Sequence, residues 1–158
     1  MIRIIIVDDH PLFGQGLASL LKEMPDMGVV GRMESSMELL EQFSNIQADL
    51  ILLDINMPGM NGLEALRFIR QRSQAIRIIM LSTYSDEQLE EKARDLGANG
   101  YLLKTTSQDE LVNTIRMVYG GKSCFPCKLA NTKSEFADKD DFLRQFKLSK
   151  REKEIIQL

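Results

Sequence analysis

Short, continuous apolar runs separated by amphipathic stretches set the terms of any fold this chain can adopt. The runs fall at residues 2–7, 50–53, 76–81 and 101–103, and they are rich in Ile, Leu and Val. They are too short for buried helices, and their unbroken hydrophobicity suits strands covered on both faces, as in a parallel sheet. A weaker, mixed run at 28–33 reads as an edge strand. Between the runs the apolar residues recur at helical spacing. Phe13, Leu17, Leu20, Leu21 and Met24 make one stripe; Leu63, Leu66 and Ile69 a second; Leu89, Ala93 and Leu96 a third; Leu111, Ile115 and Val118 a fourth.

Helix boundaries are written in the sequence too. Ser35 with Glu38, Asn61 with Glu64, Ser85 with Gln88 and Ser107 with Glu110 have the spacing of capping boxes. In such a box the first side chain bonds a free backbone N–H and the fourth reaches back. Gly97 and Gly120 stand where helices should stop. The pattern is β-α repeated five times, so the expected fold is an α/β, doubly wound, five-stranded parallel sheet with helices on both faces. In that architecture chemistry collects beyond the carboxyl ends of the strands.

Polar residues stand at those ends. Asp8 and Asp9 follow the first run, Asp54 the third, Ser82 and Thr83 the fourth, and Lys104 the fifth. One aspartate after a strand is ordinarily a cap or a solvated loop residue. Three carboxylates, a hydroxyl and an ammonium converging on one edge ask for a common purpose. Crowded carboxylates raise one another's pKa unless a cation intervenes, and an all-oxygen set suits Mg²⁺. With Lys104 as a second positive charge and Ser82 as a hydrogen-bonding group, the set is sufficient for phosphoryl transfer to an aspartate nucleophile.

Asp8-Asp9, the stretch from Leu53 to Gly62 with its Asp54-Ile-Asn-Met-Pro-Gly core, Leu81-Ser82, and Gly97 through Lys104 together resemble the signature of CheY-like receiver domains of bacterial two-component response regulators. The resemblance covers residues 1–120. It implies a flavodoxin-like strand order 2-1-3-4-5 and phosphorylation of Asp54 by a sensor histidine kinase. It further implies Mg²⁺, replaceable by Mn²⁺, on Asp9, Asp54 and the Asn56 backbone carbonyl, with Asp8 contributing through water. Lys104 should pair with Asp54 or its phosphate. Ser82 and Tyr101 would form a switch pair, and Thr83 would influence water access. Such a protein catalyses its own phosphorylation and dephosphorylation without being a dedicated enzyme. Thr105 stands where many receivers carry a proline, often through a cis bond, so the Lys104–Thr105 peptide is open to either geometry.

Beyond Gly120 the periodicity fades. Residues 121–147 read as a linker with one short helix over 138–146, and they hold Cys124 and Cys127. A single C-x-x-C without further ligands is a weak zinc signal. Residues 148–158 resemble the opening helix of the helix-turn-helix domain in response regulators of the NarL/FixJ (LuxR-type) group. The expectation is a receiver (1–120), a linker, and a DNA-binding domain truncated at its start. The full-length protein would dimerise on phosphorylation and regulate transcription; DNA contact would come only through the missing part. A net charge of −3 argues against bulk electrostatic binding of nucleic acid by this polypeptide. No run is long enough for a membrane span and no signal peptide is visible, so the cytoplasm is the expected location. Three rival readings fit these residues less well. A flavodoxin should carry a Ser/Thr- and Gly-rich phosphate loop after its first strand. An aspartyl-phosphate hydrolase should place its nucleophile there. A phosphorylation-independent interaction module would not need the acidic set.

Overall fold

The computed structural model describes residues 1–126. Five strands alternate with five helices: β1 (Ile2–Val7), α1 (Pro11–Lys22), β2 (Met27–Met33), α2 (Ser36–Gln42), β3 (Leu50–Asp54), α3 (Gly62–Arg72), β4 (Arg77–Ser82), α4 (Glu87–Leu96), β5 (Gly100–Leu103) and α5 (Gln108–Tyr119), with a 3₁₀ turn at Phe43–Asn45. The sheet order is β2-β1-β3-β4-β5 and every pairing is parallel. This is the doubly wound architecture that the sequence predicts, in the predicted order.

The apolar runs are continuous because each strand feeds two cores. Successive side chains point to opposite faces. Ile5, Val7, Ile51, Leu53 and Met80 pack with Leu39, Leu66 and Ile69 on one face, while Ile4, Ile6, Leu52 and Leu81 pack with Leu17, Leu21 and Ile115 on the other. All five residues of the central strand β3 are buried. The outer strand β2 is buried only at its ends, Met27 and Met33, and is partly or fully exposed between them, as an edge strand can be; a bulge opposite Ile4 and Ile5 interrupts its register.

Helix termini follow the predicted chemistry with one displacement. Asn61 and Glu64 form a reciprocal capping box, and Ser35 and Ser107 accept from the backbone N–H three residues on. At α4 the cap is Asp86 rather than Ser85; its carboxylate accepts from both the Gln88 and Leu89 N–H groups. An ionised acceptor at a helix start outcompetes a neighbouring hydroxyl, because it also complements the helix dipole. Helix α4 stops at Gly97, whose φ of 106° belongs to the left-handed region. Arg70 of α3 locks that stop, bonding the Gly97 carbonyl at 2.9 Å and the Asn99 side chain at 2.9 Å.

The compact unit extends to Pro126. Cys124 runs alongside β5, donating to the Asn99 carbonyl at 2.9 Å and accepting from the Tyr101 N–H at 3.0 Å. Phe125 packs on the core that holds Tyr101, under the Arg94 guanidinium at 4.6 Å. The predicted helix over 138–146, Cys127 and the helix-turn-helix fragment at 148–158 lie outside the described residues.

Candidate functional site

Strand register delivers the polar residues to one place. Val7 pairs with Leu53, Asp54 with Leu81, and Ser82 with Leu103, so the ends of β1, β3, β4 and β5 are level. Asp8 therefore begins the loop after β1, Asp54 ends β3, Ser82 ends β4 and Lys104 follows β5. Backbone bonds continue the sheet one step further: the Asp8 N–H reaches the Met33 carbonyl, and the Lys104 N–H the Ser82 carbonyl at 2.8 Å.

The loop after β3 is folded tightly beneath Asp54. The Asn56 N–H donates to Asp54 Oδ1 at 3.2 Å, and the Met57 and Gly62 N–H groups both donate to the Ile55 carbonyl. Gly62 is required by this close approach, since a Cβ there would collide with the Asp54 carbonyl oxygen. Its role was not read from the sequence, although the Asn61-Gly62 pair inside the acceptor motif carries the signal.

Charge at this edge is left unbalanced. Asp54 is fully buried and Asp8 nearly so. Lys104 Nζ sits 2.6 Å from Asp8 Oδ2 and 3.3 Å from Asp54 Oδ2, with the Phe13 ring against the same ammonium at 4.7 Å. Burial, and then the Asp8 charge, push the Asp54 carboxyl up to about 6, with Lys104 and the Asn56 N–H pulling the other way. Asp8 Oδ2, Asp9 Oδ1 and Asp54 Oδ2 are buried without a well-formed hydrogen bond; the ion-pair contacts of the first and last with Lys104 are close in distance only. One ammonium thus serves two of the three carboxylates, and Asp9 faces the His10 ring instead. Asp8, Asp9, His10 and Asp54 each offer a ligand atom, all within 4.8 Å of one another. The orphaned oxygens and the hard donor set fit a divalent cation.

The remaining predicted residues are placed as follows. Ser82 is buried at the same edge, yet its hydroxyl is engaged with its own loop: Oγ donates to the Tyr84 carbonyl at 2.8 Å and accepts from the Tyr84 N–H. Thr83 is exposed. Tyr101 is turned inward and 1% exposed, its hydroxyl without a partner. Burial pushes its phenol up, and the nearby Ser82 hydroxyl tempers the rise although no well-formed hydrogen bond joins the two. Asn56 is exposed beside Asp54. Among the described residues no peptide bond is cis, so Lys104–Thr105 is trans. The acidic residues and Lys104 meet, then, while the Ser82 hydroxyl is engaged by its own loop and Thr83 is exposed.

Among the described residues no helix is long and apolar enough to cross a membrane. The sequence model of the response regulator receiver domain matches residues 4–116. The chain is 36% identical over 129 residues to the transcriptional regulatory protein LnrK of Bacillus subtilis (strain 168), covering 82% of this chain and 59% of that protein. It is 34% identical over 160 residues to the nitrate/nitrite response regulator protein NarL of Escherichia coli (strain K12), covering 98% of this chain and 73% of NarL. It therefore spans only part of the length of these relatives. The crystal structure of a LuxR-family two-component response regulator from Aurantimonas sp. SI85-9A1 superposes with a TM-score of 0.76 at 30% identity, covering 85% of this chain and 96% of that one. With the strand order, the level strand ends and the buried acidic edge, these matches establish that the chain belongs to the response regulator receiver domain family.

Proposed function

We propose that Asp54 is the phospho-acceptor of a two-component switch, taking its phosphoryl group from a histidine kinase. The observation that carries this reading is the fully buried Asp54 carboxylate at the end of the central strand, with an oxygen lacking a hydrogen bond and a lysine ammonium 3.3 Å away. Asp9, Asp54 and the backbone carbonyl of Asn56 would hold Mg²⁺ (Mn²⁺ could replace it), with Asp8 acting through water. When bound, the metal neutralises charge on the incoming phosphoryl oxygens.

The chain's own residues do the rest. An Asp54 oxygen forms the O–P bond as the P–N bond to the kinase imidazole breaks. The Asn56 N–H on Asp54 Oδ1 fixes the orientation of the carboxylate for attack. Lys104, already between Asp8 and Asp54, follows the new phosphate charge. Ser82 must give up its bond to the Tyr84 carbonyl to reach the phosphoryl group, and this links charge at Asp54 to the β4–α4 loop. Tyr101, buried next to that loop, is the second member of the switch, and Thr83 sits where it can affect the approach of water. Charge thus biases two arrangements of one loop rather than creating a new one. In a longer protein, by analogy with the transcriptional regulators it resembles, the output would be dimerisation and DNA binding through a further domain.

Intact mass after incubation with acetyl phosphate, with and without Mg²⁺, tests the reading. One phosphoryl group should be gained only with Mg²⁺, and none by Asp54→Ala. No gain in either condition, or a gain that survives the substitution, overturns it.

A further inference from the structure

His10 is not needed for phosphoryl transfer, because a carboxylate nucleophile requires no general base. Its placement is nevertheless specified. The His10 N–H donates to Asp8 Oδ1 at 2.8 Å, and Pro11 starts α1, which keeps His10 extended at φ −102° and ψ 103°. This tight turn carries the imidazole back over the acidic edge. Nδ1 lies 3.0 Å from Asp8 Oδ1 and 3.3 Å from Asp9 Oδ1, and 3.5 Å from Lys104 Nζ.

Those separations have a chemical meaning. An octahedral ion with bonds of about 2.1 Å places adjacent donors about 3 Å apart. When Nδ1 carries the ring proton it donates to Asp8 Oδ1; in the other tautomer its bare lone pair faces the same two carboxylate oxygens, which is how donors stand around a shared cation. Independently, the buried oxygens Asp8 Oδ2, Asp9 Oδ1 and Asp54 Oδ2 lack hydrogen bonds within the same cluster. Carboxylate and carbonyl oxygens suit Mg²⁺, whereas imidazole raises affinity for late first-row ions in the Irving–Williams order.

We propose that His10 is a further ligand of the acidic pocket, and that it raises the affinity of this site for late first-row divalent cations such as Co²⁺ and Zn²⁺ relative to Mg²⁺. The inference rests on the pocket being a cation site, as the proposed function requires. It assigns His10 the choice of metal, not the acceptance of phosphate.

His10 is the only histidine in the chain, so its ring nitrogens give a single pair of ¹⁵N resonances in tag-free protein. The two cysteines would themselves take these metals, so the measurement uses the Cys124→Ser, Cys127→Ser protein. Zn²⁺ should move the Nδ1 resonance stoichiometrically, and Mg²⁺ should not. In calorimetry His10→Ala should weaken Co²⁺ by roughly tenfold or more while changing Mg²⁺ within about twofold, the scale of one lost interaction at a metal site. Excess Mg²⁺ should displace Co²⁺, placing both in one pocket. Co²⁺ affinity unchanged in His10→Ala, or an Nδ1 resonance that ignores Zn²⁺, overturns the assignment while leaving the magnesium site standing. Failure of the parent protein to bind either Mg²⁺ or Co²⁺ overturns the cation site itself, and this inference with it.

Discussion

The two edges of the sheet carry the same kinds of charge and treat them in opposite ways. At the amino-terminal edge Asp49 accepts from the Arg3 backbone N–H at 2.9 Å, from Nε at 3.2 Å and from the second guanidinium nitrogen at 3.0 Å. Arg3 bonding holds its carboxyl below the usual range. Asp26 is likewise held by Arg116. At the carboxyl-terminal edge Asp54 is buried deeper, is raised rather than lowered, and shares one lysine with Asp8. The first edge is saturated and partly solvated; the second buries Asp8 and Asp54 and is short of positive charge. A buried carboxylate without its partners is destabilising, so the difference marks where the fold gives up stability and leaves carboxylate oxygens without hydrogen bonds.

That comparison can be broken most decisively at Asp54. Asp54→Asn should abolish acid-labile phosphorylation, read by intact mass, while raising metal-free stability at pH 7 by on the order of 2 kcal/mol in urea unfolding. A loss of stability instead would show that Asp54 is as well satisfied as Asp49. Next in size, Lys104→Ala should destabilise the metal-free protein by about 3 kcal/mol, because it strips the acidic edge of its ammonium. Mg²⁺ should recover part of that loss, and an equal loss with and without the metal would contradict the picture.

The pH dependence sharpens it further. The folded Asp54 carboxyl, near 6, holds its proton after the unfolded chain, near 3.8, has released it. Its contribution to stability therefore falls as pH rises through that window, by on the order of 2–3 kcal/mol in chelator, and Asp54→Asn should remove the slope. Asp49 works the other way: its contribution is present above the unfolded value and is lost as pH falls. The smallest effect belongs to Asp49→Asn. It should cost under about 1 kcal/mol, as partly exposed ion pairs do, and leave phosphorylation untouched. A large loss there would make the amino-terminal edge more than a solvated rim.

Much of this was readable in the chain. Strands buried on both faces announce themselves as unbroken apolar runs, and once five are placed, the residues after them must share an edge. Asp8, Asp9, Asp54 and Lys104 meet for that reason. What stayed hidden depends on choices between adjacent residues or on single contacts. Ser85 and Asp86 could each cap α4, and only the three-dimensional start of the helix selects the carboxylate. Gly62 looks like one more turn residue until the Asp54 carbonyl is seen where its Cβ would be. Cys124 joins the sheet through one bridge, which has no period for a sequence to display. The inward Tyr101 beside a Ser82 hydroxyl engaged elsewhere is a matter of rotamers, which residue order does not record.

That single bridge has a consequence for the company the protein can keep. An outer strand with unpaired N–H and C=O groups is a template on which another chain can extend the sheet. Because Cys124 takes the Tyr101 N–H and gives its own to Asn99, β5 is not bare where its outer side begins, around Gly100. A molecule approaching the start of β5 therefore meets side chains such as Arg94 and Phe125 rather than bare strand backbone.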